Sequence, residues 1–227
     1  MRWWRCNGPS GCTGLAVPSD DAQTLVIRPA ATTVVWRNGP EGPQVLMGQR
    51  GAGAAFMPSK YVFPGGAVDA ADTGAFCRIA LNDQCAARLR LNCPPGAPAP
   101  ETLAVAALRE LWEETGLQLA PPPEDAARLR FIFRAITPPG RSRRFDARFF
   151  LANADWITGN PDDFSGASDE LSHLHWIGLS SARSLDLPFI TEVVLSEISH
   201  FLGGGSDAAG VPFFDNSGHI PTFRRLG

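Results

Sequence analysis

The sequence predicts an α/β fold, a mixed β-sheet layered between helices, and three observations point there. Phe145, Ala147, Phe149 and Leu151 alternate with Arg144, Asp146 and Arg148, the period-two pattern of a half-buried strand. Residues 100–115 run unbroken between Pro100, suited to a first helical turn, and Gly116, suited to a C-terminal stop. Strand-like and helix-like segments are intermixed without the strict alternation of a doubly wound parallel sheet. The 227 residues suit one domain with a substantial core.

In chain order, residues 1–24 are rich in Gly, Pro and Ser, lack a continuous apolar run, and read as a flexible extension rather than a signal peptide. Residues 25–227 read as the folded domain. "LVIRPAATTVVWRN" is rich in β-branched residues and predicts a strand. "NGPEGP" breaks it, and "QVLMGQR" supplies the second arm of a hairpin. A loop and an aromatic-aliphatic stretch then lead to Pro64-Gly65-Gly66. Residues 74–91 suit a helix, and the Pro-rich "CPPGAPAP" separates it from the one at 100–115. Beyond Pro121–Pro123, residues 128–136 and 143–155 predict two strands, "LHWIGL" a short one, and "LPFITEVVLSEISHFL" an amphipathic helix.

Composition excludes some classes. A net charge of −3, with 44% hydrophobic and 19% charged residues, lacks the basic balance of a nucleic-acid binder. No apolar run is long enough to span a bilayer, so no membrane partner is expected. Five cysteines, an odd count without an export signal, suit reduced thiols in a cytoplasmic protein. They form no CxxC pair and no histidine lies among them, which argues against zinc.

The chemistry concentrates in "RELWEETGL", Arg109 to Leu117. On a helix, Ala104, Leu108, Leu111 and Trp112 form an apolar stripe, while Glu110, Glu113 and Glu114 meet on another side. Arg109 precedes Glu113 by four and can pair with it. Three like charges near a helix C-terminus repel each other and the dipole. The bland reading is a solvated face, since each effect costs only a few tenths of a kcal/mol when exposed. The functional reading is a divalent cation, Mg²⁺ or Mn²⁺, which prefers hard oxygen ligands.

The string Arg109 to Leu117, with "FPGGAVDAAD" upstream, resembles the Nudix hydrolases, whose signature runs G-x5-E-x7-R-E-U-x-E-E-x-G-U with U aliphatic. The second half matches throughout. In the first half Gly66 fits, but the glutamate expected after five intervening residues is replaced by Asp72, and the seven-residue gap is 36 residues, Thr73 to Leu108. A subgroup with such an insertion includes the mammalian peroxisomal coenzyme A diphosphatases. Its members look like this chain in four blocks spanning residues 45–182.

The resemblance implies a Nudix-type α/β/α sandwich around a mixed sheet and metal-dependent hydrolysis of a diphosphate. It implies Glu110, Glu113, Glu114 and the Gly65 carbonyl as metal ligands, with Arg109 orienting a glutamate. Glu114, Glu113 or Glu170 would supply the catalytic carboxylate, with Asp169, His173 and His175 as competing choices. Gly66, Arg50, Arg144 and Arg148 are candidate substrate contacts, the arginines because a forked guanidinium binds phosphate bidentately. Their bland reading is a wet, charged sheet face, and Arg141 and Arg143 read as turn residues. Phe56 and Met57 suit either nucleobase stacking or core packing. Coenzyme A or an acyl derivative is one substrate reading; ADP-ribose or a dinucleotide is another. A Nudix-like binding module without turnover is a third, disfavoured by the retention of all three glutamates. A homodimer is left open.

Overall fold

A computed structural model of the chain describes residues 25–74, 81–122, 127–206, 208–218 and 220–227. The predicted extension at 1–24 and residues 75–80 of the predicted helix at 74–91 lie outside the described residues.

The hairpin at the start forms as expected: β1 (Ile27–Gly39) pairs antiparallel with β2 (Gly42–Arg50) across a two-residue turn. β3 (Tyr61–Val62) and β4 (Gly65–Ala67) follow, then a 3₁₀ turn at Ala70–Asp72. Of the helix expected at 74–91, the described part is α1 (Asp83–Leu89), capped by the Asn82 side chain on the Cys85 N–H. α2 (Pro100–Thr115) has the predicted bounds, and Gly116 closes it in the left-handed conformation at φ 74°. Next come β5 (Arg130–Ile136), β6 (Arg144–Asn153), β7 (Leu171–Gly178), the one-turn α3 (Leu179–Ala182) and α4 (Phe189–Leu202). The chain ends in a hairpin that sequence reading passed over, β8 (Val211–Asp215) and β9 (Thr222–Leu226). Pro212 and the surrounding Gly and Ser residues hide the strand pattern there.

The sheet is mixed, ordered β3-β2-β1-β6-β5-β8-β9, with β4 also on β1 and β7 also on β2. β1–β6 and β5–β8 run parallel and the other pairs antiparallel. Alternation sends successive side chains of β6 to opposite layers. Phe150 and Ala152 pack with Leu103, Ala104 and Ala107 of α2 and Leu89 of α1. Phe149 and Leu151 pack with Val194, Leu195 and Ile198 of α4. This is an α/β/α sandwich.

Two expectations about faces are corrected. Trp112 does not complete the apolar stripe of α2: it is 51% exposed, while Leu103, Ala104, Ala106, Ala107 and Leu111 make the buried one. Nor is the polar side of β6 wet, because α1 and the segment after it cover it. Arg134 grips Asp146 with two hydrogen bonds of 2.8 Å and caps the Leu91 and Asn92 carbonyls at the end of α1. Arg148, 1% exposed, sits 2.9 Å from the same carboxylate, and burial holds its guanidinium below its usual range. Arg144 donates to the Thr137 and Asn216 carbonyls, which ties the terminal hairpin to β6.

Candidate active site

α2 presents Arg109, Glu110, Glu113 and Glu114 to the bend that joins β4 to the 3₁₀ turn. Every donor of the Arg109 fork is engaged. Nε and Nη2 hold both oxygens of Asp72 at 2.8 and 3.0 Å. Nη1 reaches Glu110 at 2.9 Å and Glu113 at 3.0 Å, and Nη2 also donates to the Ala67 carbonyl at 3.0 Å. Asp72 is buried and also accepts from the Asp69 N–H. Burial pushes the Asp72 carboxyl up, but the Arg109 and Asp69 hydrogen bonds outweigh it and hold the group below its ordinary value. Thus the acid that replaces the signature glutamate sits in the arginine's fork and fixes the orientation of α2 against the bend.

The two glycines are demanded by close approach. A Cβ on Gly66 would stand 2.4 Å from Glu110 Oε1, and one on Gly65 2.6 Å from the Ala31 carbonyl. The Gly65 N–H donates to Glu114 Oε2 at 2.7 Å. The Gly65 contact to the glutamates is its amide; the carbonyl is the atom put forward as a metal ligand.

The glutamates differ in environment. Glu113 keeps 45% of its side chain exposed, whereas Glu110 is 9% and Glu114 2% exposed, so the solvated-face reading fails for these two. Burial pushes Glu114 up to about 8, and the like charges of Glu110 and Glu170 add to that; the Gly65 N–H and Arg50 pull the other way. Glu110 is raised by burial too, against the pull of Arg109.

Glu170 is exposed, yet its charge is felt by both buried carboxylates. Its loop is clipped to the C-terminus of α2. The Ser168 N–H donates to the Glu113 carbonyl at 2.9 Å, and a Cβ on Gly116 would meet the Gly166 backbone at 3.0 Å. No local sequence signal marks this clip, because its halves lie some fifty residues apart.

Arg50 ends β2 beside Leu171, next to Glu170. Its Nε is buried without a hydrogen-bond partner, and its charge reaches Glu114. Of the arginines proposed as substrate contacts, Arg50 alone lies by the carboxylates with donor capacity left over. Arg144 and Arg148 are sequestered within the fold as described, and Arg141 and Arg143 are exposed in the turn before β6. Phe56 packs edge-on against Phe145 at 5.2 Å. His173 and His175 sit beside Tyr61, on the α4 side of the sheet, away from α2.

Among the described residues, no three carboxylate, imidazole or thiol groups converge as a ready metal cage. The donor set still fits a hard divalent cation: two adjacent buried carboxylates, under-neutralised by their surroundings, and a third held alongside by Arg109. Mg²⁺ keeps several waters and needs only one or two protein carboxylates.

The NUDIX domain family model matches residues 93–195, a span that includes the glutamate helix and Glu170. Gly65, Gly66 and Asp72 fall outside that span, and packing returns them to α2. A solved NUDIX hydrolase from Alicyclobacillus acidocaldarius is 29% identical, covering 76% of this chain and 90% of its own, with a TM-score of 0.55. Two others share the fold. An Ap4A hydrolase from C. elegans is 20% identical over 78% of this chain and 99% of its own, with a TM-score of 0.50. A MutT protein from Methanosarcina mazei Go1 is 15% identical over 78% and 95%, also with a TM-score of 0.50. The Arg109 fork and the paired buried glutamates thus lie on the helix that the NUDIX domain model matches, in a fold shared with solved Nudix hydrolases.

Proposed function

We propose that this chain hydrolyses the diphosphate linkage of a nucleoside diphosphate derivative, with coenzyme A or an acyl-coenzyme A as substrate and Mg²⁺ or Mn²⁺ as cofactor. The observation that carries the proposal is the pair of buried, under-neutralised carboxylates, Glu110 and Glu114, locked in place by Arg109 and the Gly65 N–H. A diphosphate is anionic and repels hydroxide, so the reaction needs charge neutralisation, a positioned water and a proton acceptor. Glu110, Glu113 and Glu114 would hold a divalent ion, which when bound would supply charge neutralisation and make water more acidic.

The chain's own residues do the rest. Asp72 and Arg109 fix the helix so that the carboxylates face the bend. Gly66 leaves room for the Glu110 oxygens. Arg50, with its free donor, holds a phosphate oxygen. Glu170, clipped over the site by Ser168, accepts the proton from the attacking water, a role typically worth about 10²–10⁴ in rate.

The subgroup resemblance favours coenzyme A. The likeness to an Ap4A hydrolase, which is one of fold, brings dinucleotides into the same assay. Purified protein is incubated with Mg²⁺ or Mn²⁺ and a panel of coenzyme A, acyl-coenzyme A, ADP-ribose and dinucleotides, and products are identified by mass. Coenzyme A should be cut into two fragments, each keeping one phosphate of the diphosphate, and Glu114→Gln should abolish turnover while circular dichroism stays unchanged. Equal turnover by Glu114→Gln on every active substrate would overturn the proposal. Ligand affinity without any cleavage would instead identify a binding module.

A further inference from the structure

A second group of side chains with ligand chemistry lies on the far side of the sheet. Among the described residues β7 is an outer strand paired with β2 alone, and its register slips between Met47 and Gln49. At that slip His173 adopts a left-handed backbone, φ 55°, which is uncommon for a residue with a Cβ. Such bulges re-aim side chains, and strained backbone persists where surrounding structure over-determines it. Here the outcome is that His173, His175 and Tyr61 gather at one exposed spot.

The hydrogen bonds prepare both imidazoles. His175 Nδ1 lies 2.7 Å from the His173 carbonyl, which can only accept. The neutral ring must therefore carry its proton on Nδ1 and leave the Nε2 lone pair free. His173 Nδ1 lies 3.0 Å from Tyr61 Oη, which can accept in the same way. Metal-ligating histidines characteristically donate their second ring N–H to such a partner, which fixes tautomer and ring orientation.

The spacing suits one shared ion. With Nε2–metal bonds of about 2.0–2.1 Å, each ring centroid stands about 3.2 Å from the ion, so two rings can share it at separations up to about 6.5 Å. The His173 and His175 centroids are 6.2 Å apart with planes 66° from parallel. At that separation the two Nε2–metal bonds would open to a wide angle of about 150°, which leaves room for solvent ligands. Tyr61 packs across His175 at 5.8 Å and walls one side of the pair.

We propose that His173 and His175 form a two-imidazole site for a borderline transition-metal ion of the Zn²⁺, Ni²⁺ or Cu²⁺ class, with solvent completing the coordination. This site differs from the carboxylate pair in place and in chemistry. Imidazole selects these ions, whereas carboxylate and water suit Mg²⁺ and Mn²⁺. His175 pairs with Met47, whose side chain belongs to the core beneath α4, while Glu110 and Glu114 lie on α2 across the sheet.

The test is calorimetric titration of the untagged full chain with NiCl₂, beside His173→Asn, His175→Gln, Tyr61→Phe and Glu114→Gln. Asn tolerates the left-handed backbone, so His173→Asn preserves the bulge. The parent should bind one Ni²⁺ that is lost in both histidine variants and retained in Glu114→Gln. Tyr61→Phe should weaken binding by about 10–100-fold, the usual cost of removing an outer hydrogen-bond partner. Ni²⁺ binding that survives both histidine substitutions, or absence of Ni²⁺ binding in the parent, overturns the proposal. So does loss of binding in Glu114→Gln alone.

Discussion

Replacing Glu114 by Gln should make the metal-free protein more stable at neutral pH while destroying its response to Mg²⁺. Glu114 is 2% exposed and is pushed up to about 8 by burial and by the like charges of Glu110 and Glu170, against an ordinary 4.5. Because the folded-state value is raised, the folded chain holds a proton there between pH 4.5 and about 8 that the unfolded chain has released. Stability from this group is therefore fullest below pH 4.5, falls with rising pH through that window, and levels off above about 8. At about 1.4 kcal/mol per unit, the cost reached by pH 7 is of order 3 kcal/mol. Gln keeps an oxygen for the Gly65 N–H and never ionises, so it escapes this cost. For a chain of this size the gain corresponds to a rise in Tm of about 6–12 °C at pH 7. Differential scanning fluorimetry in EDTA at pH 5.5, 7 and 8.5 should show the gap between variant and parent widening with pH. Adding Mg²⁺ should then raise the parent's Tm and leave the variant's unmoved. A gap that is constant with pH, or a variant less stable than the parent at pH 8.5, would refute the burial argument.

Three further outcomes follow from the same contacts. Arg109→Lys cannot span Asp72, Glu110, Glu113 and the Ala67 carbonyl, and it leaves buried Asp72 under-paired; urea unfolding should show a loss of about 3 kcal/mol. Gly66→Ala places a methyl 2.4 Å from Glu110 Oε1, so kcat should fall at least tenfold while the far-ultraviolet spectrum is unchanged. Arg148→Met leaves the Arg134–Asp146 pair intact and removes a buried guanidinium with an unpartnered Nε, so stability should change little, whereas Arg134→Met should cost about 3–5 kcal/mol. An unchanged KM in Arg148→Met would also confirm that this arginine serves the fold rather than the substrate.

Local pattern made most elements legible. The 100–115 helix is readable because Pro and Gly act on their own backbone, and β6 because alternation is a property of consecutive residues. The terminal hairpin escaped because Pro212 interrupts a five-residue strand whose pairing is supplied by β5. The same boundary runs through the site. The spacing of Arg109, Glu110, Glu113 and Glu114 shows that they share a helix side, but says nothing of what covers that side. Arg144 and Arg148 looked like a wet face because sequence cannot show that the end of α1 lies over it.

The sequence alone determined the 100–115 helix, the alternation of polar and apolar residues along β6, and the run of carboxylates on one side of that helix. Tertiary structure decided which charges are buried, that Asp72 fills the Arg109 fork from 37 residues away, and that Arg50 rather than Arg144 or Arg148 stands by the glutamates with a donor to spare. The reason is physical. Propensity and periodicity are set by neighbours along the chain, whereas desolvation and charge pairing depend on groups that only folding brings together.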